Sequence, residues 1–317
     1  MKLGLRLPQR TGVNLQCDIV ETARRAESAG YTSLWTYERL LFPIEPRESY
    51  FGQPWPESQQ QAADPLAVLT AAAAVTTKAR LGTAVLVAPA HAPFQLAKSL
   101  ATIDQISGGR LIAGIGSGWS TDELQATGAT RADRGRFVDE LLDVFDAVWG
   151  PDPVTYRGRR TVIENAVVLP KPVSKIPVMF GGGAATASTL ERIATRADGW
   201  LSIAGAGGGL EATARTWNEI RDLAAQHGRD VDRMEHIVVG NVTFTQQPQG
   251  RDRVPFVGTL DEVVEDIATA VALGADEVII DLNLQKWFTD TGRMLDTAED
   301  LFSRAHRRIS SLPPQAR

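Results

Sequence analysis

Short apolar runs alternate with longer amphipathic stretches along most of the chain. The short runs predict strands, whereas the longer stretches repeat apolar residues at helical spacing and predict helices. In 131–150, for example, the helical spacing is carried by Phe137, Leu141 and Val144. The predicted strands are 2–8, 32–37, 80–87, 110–116, 176–182, 199–204, 236–245 and 276–282. The predicted helices are 14–29, 64–77, 93–106, 131–150, 184–197, 209–227, 259–274 and 297–311.

Each predicted strand is followed by a predicted helix. Eight such units in 317 residues indicate a (β/α)8 TIM barrel, and residues 1–317 are expected to form a single domain. A doubly wound sheet has the same alternation, so the strand count alone leaves it open. Two long loops, 38–63 and 117–130, follow the carboxyl ends of strands two and four. In barrels, that end carries the active site.

The glycine-rich run GIGSGW at the end of strand four fits neither of two familiar phosphate-binding motifs. The dinucleotide fingerprint G-x-G-x-x-G, started at Gly114 or Gly116, meets Trp119 or Thr121 where its last glycine belongs. The sequence also contains no P-loop. The failed fingerprint disfavours the doubly wound alternative. In a barrel, this run instead leads into the loop above the mouth, where glycine lets the backbone approach a ligand closely.

Composition narrows the class of protein further. Hydrophobic residues make up 43% of the chain, and the net charge is −5, which gives no support to nucleic-acid binding. The single cysteine, Cys17, excludes an internal disulfide. No apolar run approaches the roughly 20 residues of a membrane span, and the N-terminus lacks a signal-peptide pattern, so we expect a cytoplasmic protein. The sequence contains no metal-ligand spacing. It also lacks the G-x-S-x-G elbow of hydrolases in which a serine is the nucleophile.

Several longer fragments together resemble the luciferase-like monooxygenase superfamily, and most closely its deazaflavin-dependent branch. They include AKSLATIDQISGGRLIAGIGSGW, DELQATG, LPKPVSKIPVMFGGG and RIATRADGWL, in this order along the chain. The resemblance implies a barrel that holds coenzyme F420, or alternatively FMN, at its mouth. It also implies a small-molecule substrate and a homodimer, which is common among similar barrels.

The resemblance assigns a wall for the cofactor ring. Similar proteins have a cis peptide bulge at the end of strand three, and this maps to Ala84–Val85, although an ordinary buried strand is the alternative. The loop after strand four is expected to line the same cavity. Its residues are Gly116, Ser117, Gly118 and Trp119.

Two glycine loops are candidates for binding the cofactor phosphate. Gly181, Gly182 and Gly183 lie between strand five and a helix, where backbone N–H groups and the helix dipole can bind an anion. A second loop, with Gly205 and Ala206, follows strand six and precedes another helix. Plain βα turns are the alternative explanation for both loops.

The candidates for acid–base chemistry are few. Where the deazaflavin branch often has an Asp-His pair, this chain has Glu38 and Arg39. Glu38 is a candidate general acid, and Arg39 is suited to offset negative charge on a reduced ring. His91, above strand three, is the third candidate. The other three histidines, His227, His236 and His306, are expected to have structural or surface roles.

One position argues against a particular substrate class. Certain sugar-phosphate dehydrogenases of the branch have a glutamate acid where this chain has Trp119, which is better suited to forming a pocket wall. Asp122 and Glu123 follow it as carboxylates that also suit helix capping.

Three functions remain open on the sequence alone. The favoured one is an F420-dependent oxidoreductase, and the alternatives are an FMN-dependent monooxygenase and a cofactor-binding barrel without turnover. Loop 38–63 resembles a lid with an apolar underside, although a mobile surface loop is the alternative. Its aromatic residues are Phe42, Tyr50, Phe51 and Trp55. The sequence does not reveal the substrate.

Overall fold

The computed structural model of the protein describes residues 2–50, 52–183, 186–205, 208–250, 252–285 and 290–312. The strands of this part of the chain are β1 (Lys2–Arg6), β2 (Ser33–Thr36), β3 (Arg80–Thr83), β4 (Leu86–Val87), β5 (Leu111–Gly116), β6 (Val154–Arg157), β7 (Val162–Ala166), β8 (Val178–Gly181), β9 (Gly199–Ile203), β10 (Glu235–Asn241), β11 (Thr243–Phe244), β12 (Val257–Gly258) and β13 (Glu277–Asp281). The helices are α1 (Asp18–Ala29), α2 (Pro65–Val75), α3 (Pro93–Ser107), α4 (Thr121–Ala126), α5 (Arg134–Trp149), α6 (Ala187–Arg196), α7 (Gly209–Gln226), α8 (Leu260–Ala272) and α9 (Thr291–Ser310).

Eight parallel strands form a closed barrel. They pair in the order β3, β2, β1, β13, β10, β9, β8 and β5, and β3 pairs again with β5 to close the ring. The short strand β4 continues the path of β3 and pairs with the upper end of β5. Closure removes both sheet edges, which a doubly wound sheet would retain. The predicted (β/α)8 barrel is therefore confirmed.

The structure adds elements that the apolar pattern did not indicate. An antiparallel hairpin of β6 and β7 follows α5, and the short helix α4 lies in the loop above β5. The Ser120 side chain caps α4 by accepting a hydrogen bond from the Glu123 N–H group. The last helix begins at Thr291, six positions before the predicted start, because Asp290 caps it there. The hairpin and α4 carry no long apolar periodicity, so the pattern alone could not find them, whereas Met294, Leu295 and Ala298 do continue the helical spacing of α9 towards its cap.

The interior of the barrel is packed with side chains. Trp35, Ile112, Met179, Leu201, Ile237, Val239 and Ile279 form this inner layer, and Ala84 and Val85 pack against it. The Trp35 indole donates a hydrogen bond to the buried Glu277 carboxylate at 2.9 Å. A larger layer of apolar residues fills the space between strands and helices. Packed side chains therefore close the barrel interior below its mouth. Among the described helices, none has both the length and the apolarity needed to cross a membrane.

Candidate active site

A cavity of about 330 Å³ opens at the carboxyl ends of the barrel strands, between loop 38–63 and the loop above β5. Its lining contains most of the residues that the sequence singled out, although their roles remain predictions. These are Glu38, Arg39, Ala84, Val85, Gly116, Ser117, Gly118, Trp119, Gly181, Gly182 and Gly183. The structure thus brings together residues from four strand ends that are up to 145 positions apart in the chain.

One wall of the cavity is formed between β3 and β4. The Ala84–Val85 peptide bond is cis, as the resemblance implies. The Ala84 carbonyl accepts a hydrogen bond from Arg6 Nη2 at 2.7 Å, and Arg6 Nη1 donates to Asp281 at 2.6 Å. The Val85 side chain lies between Gly116 and Gly181, where the Cβ atom of any other residue would overlap it. The wall therefore depends on Gly116 and Gly181, which the sequence predicted at the site, and on the Arg6–Asp281 ion pair, which it did not predict.

The opposite end of the cavity is suited to an anion. Gly181, Gly182 and Gly183 lead from β8 towards α6, and Thr186 and Thr189 line the cavity beside them. Thr186 caps α6 through its side chain. Gly182 has a φ of +127°, a conformation that favours glycine. The Gly182 N–H group already donates to the Leu201 carbonyl at 3.2 Å, so an anion here would draw on the first N–H groups of α6 and on the helix dipole, which attract phosphate groups.

Two neighbouring arginines hold the loop above β5, and one of them lines the cavity. Arg134 lines the cavity and donates to the Gly118 carbonyl, and Arg131 donates to the Trp119 carbonyl. Within the described residues, neither arginine has an ion-pair partner. Burial and the neighbouring charge of Arg131 lower the pKa of Arg134. A bound anion would relieve this repulsion between two cations.

Glu38 is a buried carboxylate at the cavity surface. Its Oε2 atom accepts a hydrogen bond from the Val87 N–H at 2.6 Å, and its Oε1 atom lies 2.8 Å from His91 Nε2. His91 itself is not among the lining residues. The histidine contacts the cavity only through this pair with the Glu38 carboxylate. This pairing joins two of the three acid–base candidates.

Arg39 and Glu123 form a second buried pair. Arg39 Nη1 lies 2.9 Å from Glu123 Oε2, and the Glu123 Oε1 atom accepts a hydrogen bond from the Leu40 N–H at 2.8 Å. The Arg39 guanidinium also lies over the rings of Trp55 and Trp119, at 4.7 and 5.2 Å. Burial raises the pKa of Glu123, and Arg39 opposes the rise. The sequence suggested helix capping for Glu123; its side chain instead binds Arg39.

Loop 38–63 is packed over the cavity by aromatic contacts. The ring of Trp55 lies 5.2 Å from that of Trp119 and 5.9 Å from that of Phe42. The Trp55 indole also donates to the Glu48 carbonyl at 2.8 Å. These contacts favour the predicted lid over a mobile surface loop. Phe51, the other aromatic residue of the predicted underside, lies outside the described residues.

Other candidates lie away from this cavity. Gly205 is exposed and is not part of the lining, and Ala206 lies outside the described residues. His236 is buried between the rings of Trp200 and Trp217, where it bonds to Ser202 at 2.9 Å. Burial lowers the pKa of His236 to about 3. No cluster of metal-ligating side chains occurs in the part of the chain that the structure describes.

A larger hollow, of about 510 Å³, lies at the other end of the barrel. It is lined by charged residues that pair with one another or with their neighbours, as Arg80 does with Glu235 and Lys175 with Asp198. Because barrel enzymes place their active sites at the carboxyl ends of the strands, we assign the candidate active site to the smaller cavity.

Comparison with known proteins places this geometry in context. A family model described as luciferase-like monooxygenase matches residues 10–254. An uncharacterized protein of Mycobacterium tuberculosis is 31% identical over 264 residues, which cover 81% of this chain and 84% of that protein. The F420-dependent glucose-6-phosphate dehydrogenase of Amycolatopsis mediterranei is 29% identical over 195 residues, 60% of this chain and 54% of that enzyme.

Solved structures show the same fold with either cofactor. An F420-dependent secondary alcohol dehydrogenase in complex with an F420–acetone adduct has a TM-score of 0.74 at 18% identity, over 96% of this chain and 98% of that one. A type II Baeyer–Villiger monooxygenase of Pseudomonas putida in complex with FMN also has a TM-score of 0.74 at 18% identity, over 99% of each chain. At these identities, the likeness concerns the fold.

Proposed function

Because the chain belongs to the luciferase-like monooxygenase family, we propose that it is an oxidoreductase that uses coenzyme F420. In this proposal, a hydride passes between C5 of the deazaflavin and an organic substrate at the barrel mouth. The observation that carries it is the composition of a single cavity. That cavity joins the Ala84–Val85 wall, the anion-binding end at Gly181–Gly183 and the buried Glu38 carboxylate.

The residues present fit such a cofactor. A Cβ atom on Gly182 or Gly183 would meet no other atom within 4 Å, so open space remains beside this backbone for a phosphate. Four lining residues, Arg6, Tyr37, Arg39 and Gln59, carry buried polar atoms that have no hydrogen-bond partner in the described part of the protein. Buried polar groups without partners are uncommon, and a bound ligand is one way to satisfy them.

Two considerations support coenzyme F420 over FMN. The first is the F420-dependent relative noted above, together with the closer resemblance of the sequence motifs to the deazaflavin branch. The second is the pair Arg131 and Arg134. Coenzyme F420 carries glutamate carboxylates beyond its phosphate, whereas FMN ends at the phosphate. Arg134, which lines the cavity and has no carboxylate partner among the described residues, suits the longer anionic group, and Arg131 adds a second positive charge close by.

The protein residues would position the substrate and move its proton. Bound coenzyme F420 supplies the hydride donor or acceptor. Glu38 is the group best placed to hold the substrate proton, since it lines the cavity and its other contacts fix its orientation. His91 would carry that proton onwards or stabilise the Glu38 carboxylate. Trp55 of the lid and Trp119 of the loop above β5, whose rings are in contact, would limit the access of water.

Equilibrium titration with each cofactor tests the proposal. We expect coenzyme F420 to bind at least about tenfold more tightly than FMN, a difference of about 1.4 kcal/mol. Ring fluorescence or absorbance provides the readout. A preference for FMN would contradict the F420 assignment and favour the FMN-dependent monooxygenase. Binding without turnover of any alcohol, aldehyde or ketone tested would favour the binding-only barrel.

A further inference from the structure

We propose that this protein acts on an uncharged organic substrate, with an apolar flat or alicyclic body and no phosphate or carboxylate group. The inference rests on the proposed function, because it takes one side of the cavity as the substrate's. We call that side the substrate chamber. It is lined by Tyr37, Glu38, Arg39, Tyr50, Trp119 and Glu123.

The cation in the substrate chamber is already neutralised. Arg39 and Glu123 are 2.9 Å apart, and their side chains are only 8% and 4% exposed. The Nε–H group of Arg39 is buried and has no hydrogen-bond partner among the described residues, so it can donate to a substrate oxygen without displacing Glu123. A substrate anion bound there would gain little from charge, because Glu123 already offsets the charge of Arg39. Arg39 therefore offers the substrate a hydrogen-bond donor whose charge is compensated.

Two tryptophan rings also lie against one side of the Arg39 guanidinium. Its central carbon lies 4.7 Å from the ring centre of Trp55 and 5.2 Å from that of Trp119. Stacking of this kind holds the planar group in place. Together with the Glu123 contact, it fixes both the position and the partner of the charge before any substrate enters.

The remaining charge in the chamber would repel an anion. Glu38 presents a carboxylate whose contacts are the Val87 N–H group and His91. With Glu123, it places two carboxylates beside Arg39, and the other lining cation near the chamber, Arg6 over the Tyr37 ring, is paired with Asp281. Arg134, which has no ion-pair partner among the described residues, lines the cavity outside this chamber and donates to the Gly118 carbonyl. The protein thus separates an end for anions from a chamber for uncharged groups.

Aromatic rings supply the attractive surface of the chamber. The Tyr50 ring lies 5.8 Å from the Trp119 ring at 71°, in an edge-to-face arrangement. Trp55 packs behind both, at 6.2 Å from Tyr50 and 5.2 Å from Trp119. Such walls bind apolar bodies through burial of their surface.

Two probes of nearly the same shape test the inference, cyclohexyl methyl ketone and cyclohexanecarboxylate. They would be titrated into cofactor-loaded protein, with binding followed by ligand-observed NMR. We expect the ketone to bind at least about tenfold more tightly than the carboxylate, since Glu123 already offsets the charge of Arg39 and Glu38 lies in the same chamber.

The variant Glu123→Gln provides the decisive comparison. It releases the charge of Arg39 while an amide oxygen still accepts the Leu40 N–H hydrogen bond. Carboxylate affinity should then rise about 10- to 100-fold, as expected for a charge-assisted hydrogen bond, and ketone affinity should change little. The double variant Arg39→Gln/Glu123→Gln is the matched control, and it should lose the gain. Thermal unfolding establishes that each variant is folded.

The inference is overturned if the wild-type protein binds the carboxylate as tightly as the ketone, or binds neither. It is also overturned if Glu123→Gln leaves carboxylate binding unchanged in a folded protein. The titrations are run with coenzyme F420 and with FMN separately. A preference for the ketone in FMN-loaded protein would support the uncharged substrate even where the F420 assignment had failed.

Discussion

The cofactor wall can be tested by adding one methyl group at Gly116. An ideal Cβ atom there would lie 2.6 Å from Val85 Cγ2, which is about 0.8 Å closer than the 3.4 Å at which ordinary contact begins. Val85 cannot move aside towards Gly181, because its other methyl group already occupies the space there. In Gly116→Ala, we therefore expect Val85 to shift towards the space that the cofactor ring would use.

The size of the effect follows from the overlap. Overpacking by a single methyl group costs about 1–3 kcal/mol. If this cost appears on binding, cofactor affinity falls about 5- to 150-fold; if it appears in the free protein, the free energy of unfolding falls by the same amount. Fluorescence titration and urea unfolding measure the two quantities on one sample.

A double-mutant cycle identifies the contact responsible. Val85→Ala removes the methyl group that Gly116→Ala would meet, so the double variant should recover most of what the single Gly116 variant lost, measured against Val85→Ala alone. The reasoning is refuted if Gly116→Ala matches the wild type in both affinity and stability. It is equally refuted if Val85→Ala restores nothing.

Three further predictions concern individual residues. Gly182→Val should weaken cofactor binding, because a branched residue resists the φ of +127° and fills the phosphate space. Gly183→Ala is the milder comparison, since the backbone at Gly183 is not in the left-handed region. Equal affinities in the two folded variants would argue for a plain turn. Glu38→Gln should lower kcat by about 10²–10⁴-fold while cofactor affinity is nearly kept, once a substrate is found, and an unchanged kcat would remove Glu38 from the reaction. The pKa of His236, lowered to about 3, should make folding stability fall with acid, because below pH 6.5 the unfolded chain takes up a proton that the folded protein resists. Between pH 6.5 and 5, the wild type should therefore lose about 2 kcal/mol more than His236→Phe in urea unfolding, and parallel losses in the two proteins would contradict the assignment.

The sequence was sufficient for the fold and for the outline of the site. Apolar periodicity is a local property, and it located every strand of the barrel to within a few residues. Parallel strands in a barrel all point their carboxyl ends to one face, so the ends of strands two to five had to meet there. The resemblance then identified which peptide bond, Ala84–Val85, forms the wall.

Only the tertiary structure decided how the charged groups are paired. Arg39 and Glu123 are 84 positions apart, and Arg6 and Asp281 are 275 apart. Whether two such side chains meet depends on strand register, loop path and rotamer, and no local pattern in the chain encodes these. A neutralised arginine and a free one look the same in a sequence, because pairing is a property of distance. For that reason, the sequence could place Arg39 at the mouth as an anion-stabilising group, while the fold surrounds it with Glu123 and two tryptophans.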